Sequence, residues 1–176
     1  MIDGRIKTYG TIVFDVEDKT TKHKLQSSWK KTAFVLIDDD SCEYYSWFLR
    51  KRYNIILNNP IRSSHVSFIN DSMNDLTQNG QVSEIEALKR WEECKEKWDG
   101  KEIEIVLDLD IKTDSNFWWL DVPNDERKLL HSIRAEVGLS KPFFGLHMSI
   151  GRVREMIQHI EHSKYIYDCI KNGFID

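Results

Sequence analysis

Two short stretches of the chain carry the same pattern, SHVSFI at residues 64–69 and GLHMSIG at residues 145–151. Each places a histidine, an apolar residue and a serine in succession, within a run of strand-forming residues. Because side chains alternate between the two faces of a strand, the histidine and serine of each copy share one face. We therefore predict two strands, each with an apolar face that packs under helices and a polar face that is free for chemistry.

Outward from these strands, apolar periodicity switches repeatedly between strand and helix patterns. The mixture predicts an α+β fold in which helices cover the outer faces of the sheet. Residues 19–31 are polar and are predicted to form a loop, and the tail after Val153 is predicted to be mostly helical with a C-cap near Asn172-Gly173. Predicted strands cover residues 5–17, 33–37, 64–69, 101–110, 117–120 and 145–151, and predicted helices run from Asp40 to Asn58, from Ser83 to Gly100 and from Asn124 or Asp125 to Val137. The apolar stripe of the second of these helices is predicted at Ile85, Leu88, Trp91 and Trp98.

The composition limits the kinds of partner that the chain is expected to bind. The 176 residues carry a net charge of -4, which argues against binding long nucleic acid through a broad basic surface but leaves room for a local phosphate pocket. Apolar stretches are too short to cross a bilayer, and the N-terminus lacks a signal-peptide pattern, so no membrane partner is expected. Cys42, Cys94 and Cys169 are odd in number and scattered, which favours reduced thiols in the cytoplasm. Oligomeric state is left open.

The two polar faces favour phosphodiester chemistry if the two strands lie side by side. One imidazole, His65 or His147, can take a proton from water or a ribose 2′-hydroxyl, and the other can protonate the leaving oxygen. The hydroxyls of Ser67 and Ser149 can donate hydrogen bonds to the non-bridging phosphate oxygens. Serine is a poor metal ligand and no Asp/Glu cluster accompanies either histidine, so no metal or cofactor is expected. The alternative is that both are partly buried, satisfied strand histidines.

Four further residues are candidates for binding a substrate: Tyr9, Trp118, Trp119 and Arg152. The two tryptophans are adjacent in a strand, so one faces the core and the other faces the opposite side, and an indole on the open side could stack on a base. Core packing is the alternative for either tryptophan, and also for Tyr9. Arg152 has the opposite strand parity to His147, so only a bulge at Gly151 would turn it toward the histidines.

The repeated pattern resembles the two-histidine (LigT-like) phosphoesterase superfamily, whose signature is a repeated His-hydrophobic-Ser/Thr motif. The resemblance covers roughly residues 33–152, including the strand and helix before the first motif and the helix before the second. It implies a bilobal, pseudo-twofold fold with one motif in each lobe and a central cleft. It also implies that His65 and His147 are general base and acid, without saying which is which, and that Ser67 and Ser149 are phosphate ligands.

The whole chain, residues 1–176, is expected to form one bilobal domain with additions at both ends. The extra N-terminal strand and loop at 1–32 and the extension at 153–176 are similar to those of compact viral members. Among these, phage anti-CBASS enzymes cleave cyclic di- and trinucleotide immune signals, which would place the chain in a host cytoplasm. The expected substrate is therefore a small cyclic or linear oligonucleotide. An RNA-end enzyme acting on 2′,3′-cyclic or 2′,5′ phosphates, and a nucleotide sponge without catalysis, are the alternatives.

Overall fold

The computed structural model of the chain describes residues 4–15, 30–37, 40–58, 60, 64–114, 116–142 and 145–153. The described strands are β1 (Arg5–Phe14), β2 (Lys30–Ile37), β3 (Leu57–Asn58), β4 (His65–Ser72), β5 (Glu102–Asp108), β6 (Lys112–Thr113), β7 (Phe117–Asp121) and β8 (His147–Val153). The described helices are α1 (Ser41–Tyr53), α2 (Met73–Leu76), α3 (Glu84–Trp98) and α4 (Lys128–Glu136), with a 3-10 turn over Asn124–Glu126.

The strands form one antiparallel sheet in the order β5-β1-β2-β4-β8-β7-β6, with β3 beside the end of β8. The sheet curls into a half-barrel, so that β5 contacts β7 although four strands separate them in the sheet order. The prediction of an α+β fold is confirmed. β1 belongs to residues 1–32, which were expected to be an addition to the core at residues 33–152. It pairs with β2 on one edge and with β5 on the other, so it is an interior strand of the sheet.

One face of the sheet forms the hydrophobic core. A row of cross-strand partners runs across its centre, from Val35 through Val66 and Met148 to Leu120, and each of these side chains is fully buried. Full burial of an aliphatic side chain contributes about 1.5–3 kcal/mol. The helices pack on this face, since their buried side chains belong to the same apolar cluster as the row. The predicted apolar face of the two motif strands is therefore confirmed.

Helix α1 ends earlier than the sequence pattern predicts. The predicted end at Asn58 was wrong, because Asn54 adopts the left-handed conformation directly after Tyr53. Its N–H and that of Ile55 bond back to the carbonyls of Arg50 and Leu49, which closes the helix. At the other end Asp40 occupies the N-cap position, but its side chain makes no capping hydrogen bond within the described part of the chain.

Helix α3 begins where the sequence predicted. The face of the helix that is buried differs from the predicted apolar stripe. The Ser83 side chain accepts a hydrogen bond from the N–H of Glu86, which caps the first turn. Ile85 and Leu88 were expected in the core, but they are 82% and 38% exposed. Trp91 sets the rotation, because its ring packs on Phe14 and its indole N–H donates to Asp15 at 3.0 Å. The buried side chains on its face are Ala87, Trp91 and Cys94.

Helix α4 begins at Lys128, not directly after Asn124 or Asp125 as predicted. Residues 124–126 form a 3-10 turn instead. The carboxylate of Asp125 is bonded to the guanidinium of Arg5 at 2.9 Å, so it ties this turn to β1 and does not cap the helix. The helix therefore starts later than predicted, and its buried side chains include Leu130 and Ile133.

Lys30 and Lys31, predicted as the end of a loop, begin β2, whereas residues 19–29 and the tail after Val153 lie outside the described residues. Cys42 and Cys94 are buried thiols, and burial raises the pKa of Cys94 to about 12. Cys169 also lies outside the described residues. None of the described helices is both long and apolar enough to span a lipid bilayer.

Candidate active site

The two motif strands are direct neighbours in the sheet. β4 pairs antiparallel with β8, with Val66 opposite Met148. Continuing this register by one residue in each direction sets His65 opposite Ser149 and Ser67 opposite His147. Directly opposite residues of an antiparallel pair share a face, so the two histidines and two serines lie together on the side of the sheet away from the core.

The burial pattern agrees with this arrangement. His65, His147 and Ser149 are half-buried and Ser67 is exposed, whereas the residues between them are fully buried. We call this side of the sheet the histidine face, defined by His65, Ser67, His147 and Ser149. All four side chains are therefore at least partly accessible to solvent.

His147 has a defined tautomer. Its Nδ1 lies 2.9 Å from the carbonyl oxygen of Gly145. Because a carbonyl oxygen can only accept, the bond requires a hydrogen on Nδ1, and Nε2 is left to exchange a proton with a ligand. The ring centroid of Trp119 lies 6.0 Å from that of His147, and Asp121 stands directly opposite His147 on β7.

Two apolar side chains of β2 lie beside His65. Leu36 stands directly opposite it on β2. The ring of Phe34, which is opposite Ser67, lies 5.3 Å from the His65 ring at an interplanar angle of 79°. A β-bulge between Ala33 and Phe34 adjusts the register at this point.

The start of α1 is hydrogen-bonded to both motif strands. The N–H of Cys42 donates to the Ser64 hydroxyl at 3.0 Å, next to His65. The thiol of Cys42 donates to the carbonyl oxygen of Ser149 at 2.9 Å. Ser64 also accepts the N–H of Ile37 through its own carbonyl, which joins the end of β2 to the start of β4. No sequence pattern indicates this role of Cys42, because it depends on two strands that are remote from Cys42 in the chain.

The structure separates the two adjacent tryptophans. Trp118 is fully buried on the core face and cannot reach a ligand on the histidine face. Trp119 is half-buried and stands opposite Ser149, which places it on the histidine face. Its indole N–H donates to Oδ1 of Asp121 at 3.0 Å. Trp119 is therefore the tryptophan that shares a face with the two histidines.

A bulge in β8 reverses the expected direction of Arg152. The register with β7 shifts between Trp118, opposite Gly151, and Trp119, opposite Ser149, so Ile150 is the extra residue. Arg152 then stands opposite Phe117, two residues before Trp119 and so on the same face. The guanidinium lies 5.2 Å from the centre of the Phe117 ring, and its Nε donates to Oδ1 of Asn116 at 3.2 Å. The bulge that was considered at Gly151 is present one residue earlier, at Ile150, so the parity of a regular strand does not apply to Arg152.

Gly151 is required by the close approach of β3. A Cβ at this position would lie 2.7 Å from the carbonyl oxygen of Asn58 and 2.9 Å from Cβ of Leu57. We expect Gly151→Ala to reduce the free energy of unfolding by about 1–3 kcal/mol, because the backbone must move to admit the methyl group. The measurement is urea denaturation followed by circular dichroism.

Gly145→Ala is the matched control for this prediction. The three atoms nearest to its Cβ would belong to the guanidinium of Arg127, at 3.0–3.3 Å, which is the end of a flexible side chain. The control is therefore expected to unfold close to the wild-type midpoint. Equal losses for the two variants would contradict a specific steric requirement at Gly151.

Tyr9 also belongs to the histidine face. Thr11 stands opposite Leu36, which is itself opposite His65, and Tyr9 lies two residues before Thr11 in β1. The side chain of Tyr9 is 56% exposed. Tyr9 therefore lies at the β1 side of this face, two strands away from His65.

Among the residues described, no group of three or more His, Cys, Asp or Glu side chains is arranged to hold a metal ion. Comparison of the chain with family models, with curated proteins and with solved structures gave no match.

Proposed function

We propose that this chain is a metal-independent phosphodiesterase that uses His65 and His147 as general acid and base. The observation that carries the proposal is the pairing of Val66 with Met148, which sets the two His-x-Ser motifs on one face of the sheet. General acid–base catalysis needs two groups that exchange protons near neutral pH, one on each side of the phosphorus.

The reaction follows from these groups. One imidazole removes the proton from a ribose 2′-hydroxyl or from water as that oxygen attacks phosphorus. The other imidazolium gives its proton to the oxygen that leaves as its bond to phosphorus breaks. Ser67 and Ser149 donate hydrogen bonds to the non-bridging oxygens, where negative charge accumulates. No step in this scheme requires a metal ion.

The bilobal fold with a pseudo-twofold axis and a central cleft belongs to the same proposal. It is supported by the strand order, in which β5, β1 and β2 flank β4 on one side while β7 and β6 flank β8 on the other. An antiparallel pair has a local twofold axis, and the pairing of Val66 with Met148 exchanges one His-x-Ser motif with the other. The curl of the sheet would make the histidine face the concave wall of the cleft.

The preferred substrate in this proposal is a small cyclic oligonucleotide of the kind used as an immune signal. Trp119 and Phe117 are two residues apart on one face of β7, and Arg152 stands beside Phe117. Two aromatic rings and a guanidinium next to the two serines could hold a second base and a second phosphate beyond the reacting one. A substrate with several nucleotides would use all of these contacts, whereas a mononucleotide would not.

Arg152→Met tests this part of the proposal. We expect kcat/KM for a di- or trinucleotide to fall about 10–100-fold, the effect of losing a charge-assisted hydrogen bond to phosphate. The loss with a 2′,3′-cyclic mononucleotide should be much smaller, because it has no second phosphate. Arg50→Met, an exposed arginine on α1, is the matched control and should leave both rates unchanged. Equal losses on both substrates would contradict a second phosphate site.

The proposed activity is tested by a turnover assay of the wild-type chain in EDTA. The substrates are cyclic di- and trinucleotides, a 2′,3′-cyclic mononucleotide and a 2′,5′-linked oligoadenylate. Cleavage of the cyclic oligonucleotides, abolished in the His65→Ala/His147→Ala double variant, is the expected result. Cleavage that needs an added metal ion would contradict the metal-independent mechanism.

Two alternatives have distinct outcomes in the same assay. Preference for the 2′,3′-cyclic or 2′,5′-linked substrate would identify an RNA-end enzyme. Tight binding of a cyclic oligonucleotide without any product would identify a nucleotide sponge. The defined tautomer of His147, with Nδ1 bonded to Gly145 and Nε2 left for proton exchange, favours catalysis over simple binding.

A further inference from the structure

An arginine that no motif indicates lies at the end of the histidine face next to His147. Arg127 follows the 3-10 turn after β7, and its Nε donates to the carbonyl oxygen of Val122 at 2.6 Å. The N–H of Val122 in turn donates to the carbonyl oxygen of Leu146, the residue before His147. These two bonds fix the guanidinium of Arg127 beside the end of β7 and the start of β8.

The guanidinium is on the same side of the sheet as His147. Leu146 is buried in the core, so the alternation of an extended chain directs the side-chain positions of Gly145 and His147 to the opposite face. A Cβ at Gly145 would lie 3.0–3.3 Å from the Nη2, Nη1 and Cζ atoms of Arg127. The carbonyl oxygen of the same glycine lies 2.9 Å from Nδ1 of His147. Gly145 is therefore next to both the guanidinium and the imidazole.

The charge of Arg127 is not neutralised within the described part of the chain. Val122 is the one described hydrogen-bond partner of its guanidinium, which carries five N–H donors. Asp125, two residues earlier, is bonded to Arg5 instead. The side chain of Arg127 is half-buried, so part of its hydration has been lost without a carboxylate to replace it. An anion that reaches this side of the histidine face would use the remaining donors.

On the basis of the phosphodiesterase function proposed above, we infer that Arg127 binds the reacting phosphate, with its Nη groups donating to non-bridging oxygens on the His147 side. The planar fork of a guanidinium matches two phosphate oxygens, and its charge stabilises the negative charge that accumulates on them as the attacking oxygen bonds to phosphorus. The proton transfers stay with His65 and His147. Arg152, which lies beyond Ser149 on β8, is left to bind a second phosphate.

Arg127→Ala tests the assignment, with Lys128→Ala as the matched control. Lys128 is the next residue, is exposed and carries the same charge, so the control reproduces the change in net charge at the start of α4. We expect Arg127→Ala to lower kcat/KM about 10–100-fold on every substrate that the wild type cleaves, a 2′,3′-cyclic mononucleotide included, because each contains the reacting phosphate. Lys128→Ala should stay within about twofold of wild type.

Two further measurements separate binding of phosphate from a structural role. Guanidinium chloride at millimolar concentration should restore part of the rate of Arg127→Ala, whereas sodium chloride at the same concentration should not. Binding of adenosine 2′-monophosphate, measured by isothermal titration calorimetry, should weaken in Arg127→Ala by about the same 10–100-fold and stay unchanged in Lys128→Ala. The titration needs no turnover, so it tests the phosphate site independently of the proposed activity.

The assignment fails while the phosphodiesterase function stands if Arg127→Ala cleaves as fast as wild type, if Lys128→Ala loses as much, or if the loss is confined to di- and trinucleotides. Guanidinium that restores no activity would reduce Arg127 to its bond with Val122 and would also overturn the assignment. If the wild type cleaves no substrate but binds the monophosphate through Arg127, the phosphate site stands and the catalytic function fails. A wild type that neither cleaves nor binds would contradict both.

Discussion

Replacing His65 or His147 by alanine is expected to lower kcat by about 10²–10⁴-fold in the presence of EDTA, with little change in stability. Each imidazole is half-buried on the open side of the sheet, so its loss leaves no large core cavity. The double variant is expected to be only slightly slower than either single variant, because the two groups act in one concerted proton exchange. The measurement is steady-state turnover of the best substrate, with substrate binding measured separately for each variant.

His131→Ala is the matched control for this prediction. His131 lies on α4, away from the histidine face, and burial together with the nearby cations Lys141, Arg127 and Arg134 lowers its pKa. Its replacement is expected to leave kcat within about twofold of wild type, as for a residue outside the catalytic group. Retention of full activity by either single variant of the histidine face would refute the two-histidine mechanism, whatever the substrate.

Replacing Arg134 by methionine is expected to lower the free energy of unfolding by about 3–5 kcal/mol, the effect of breaking a buried ion pair. Arg134 is only 3% exposed, and its guanidinium makes a two-pronged pair with Asp71 at 2.7 and 3.0 Å. It also donates to the carbonyl oxygens of Phe68 and Ser140. Without it, the charge of Asp71 and the buried carbonyl of Phe68 lose their partner, and both belong to β4, the strand that carries His65.

Urea denaturation of Arg134→Met measures this loss. Arg134→Lys is expected to recover little of it, because one ammonium group cannot replace the planar fork that binds Asp71. Lys97→Met, which breaks the more exposed pair of Lys97 with Glu136, is the control and should cost at most about 1 kcal/mol. If Arg134→Met does not fold, Asp71→Asn gives the same comparison from the other side of the pair. A loss no larger than that of the control would show that the pair is structurally minor.

The pH dependence of the Lys97–Glu136 pair is a useful check on that control. Burial alone would raise the pKa of Glu136, but hydrogen bonds from Lys97 and Trp98 lower it below its ordinary value. A carboxyl group with a lowered pKa stabilises the fold above its unfolded pKa, and this contribution disappears as the pH falls through the folded pKa. Comparisons of Lys97→Met with Arg134→Met therefore belong at neutral pH.

Local patterns in the sequence were enough to predict the strands that form the site. The alternation in residues 64–69 and 145–151 predicted which side chains face the core, and the buried pair of Val66 and Met148 confirms it. The local sequence also predicted the start of α3 at Ser83, whose side chain caps the helix. These features are local because a strand alternates every residue and a helix start needs a partner within one turn.

Features that depend on contacts between distant segments could not be read in this way. The rotation of α3 depends on where Trp91 meets Phe14 and Asp15, which belong to β1. The choice between Trp118 and Trp119 depends on which side of β7 the helices cover. The position of Asp121 beside His147 is set by the register between β7 and β8, and nothing near Asp121 in the chain indicates it.

The sequence by itself determined the fold class, the two polar strand faces and the residue types available for chemistry. Only the tertiary structure decided that β4 and β8 lie side by side and that the bulge at Ile150 turns Arg152 toward the histidines. The physical reason is the distance along the chain over which each feature is decided. Backbone geometry fixes the direction of each side chain within a strand, whereas strand neighbours, register and bulges are chosen by the packing of the whole core.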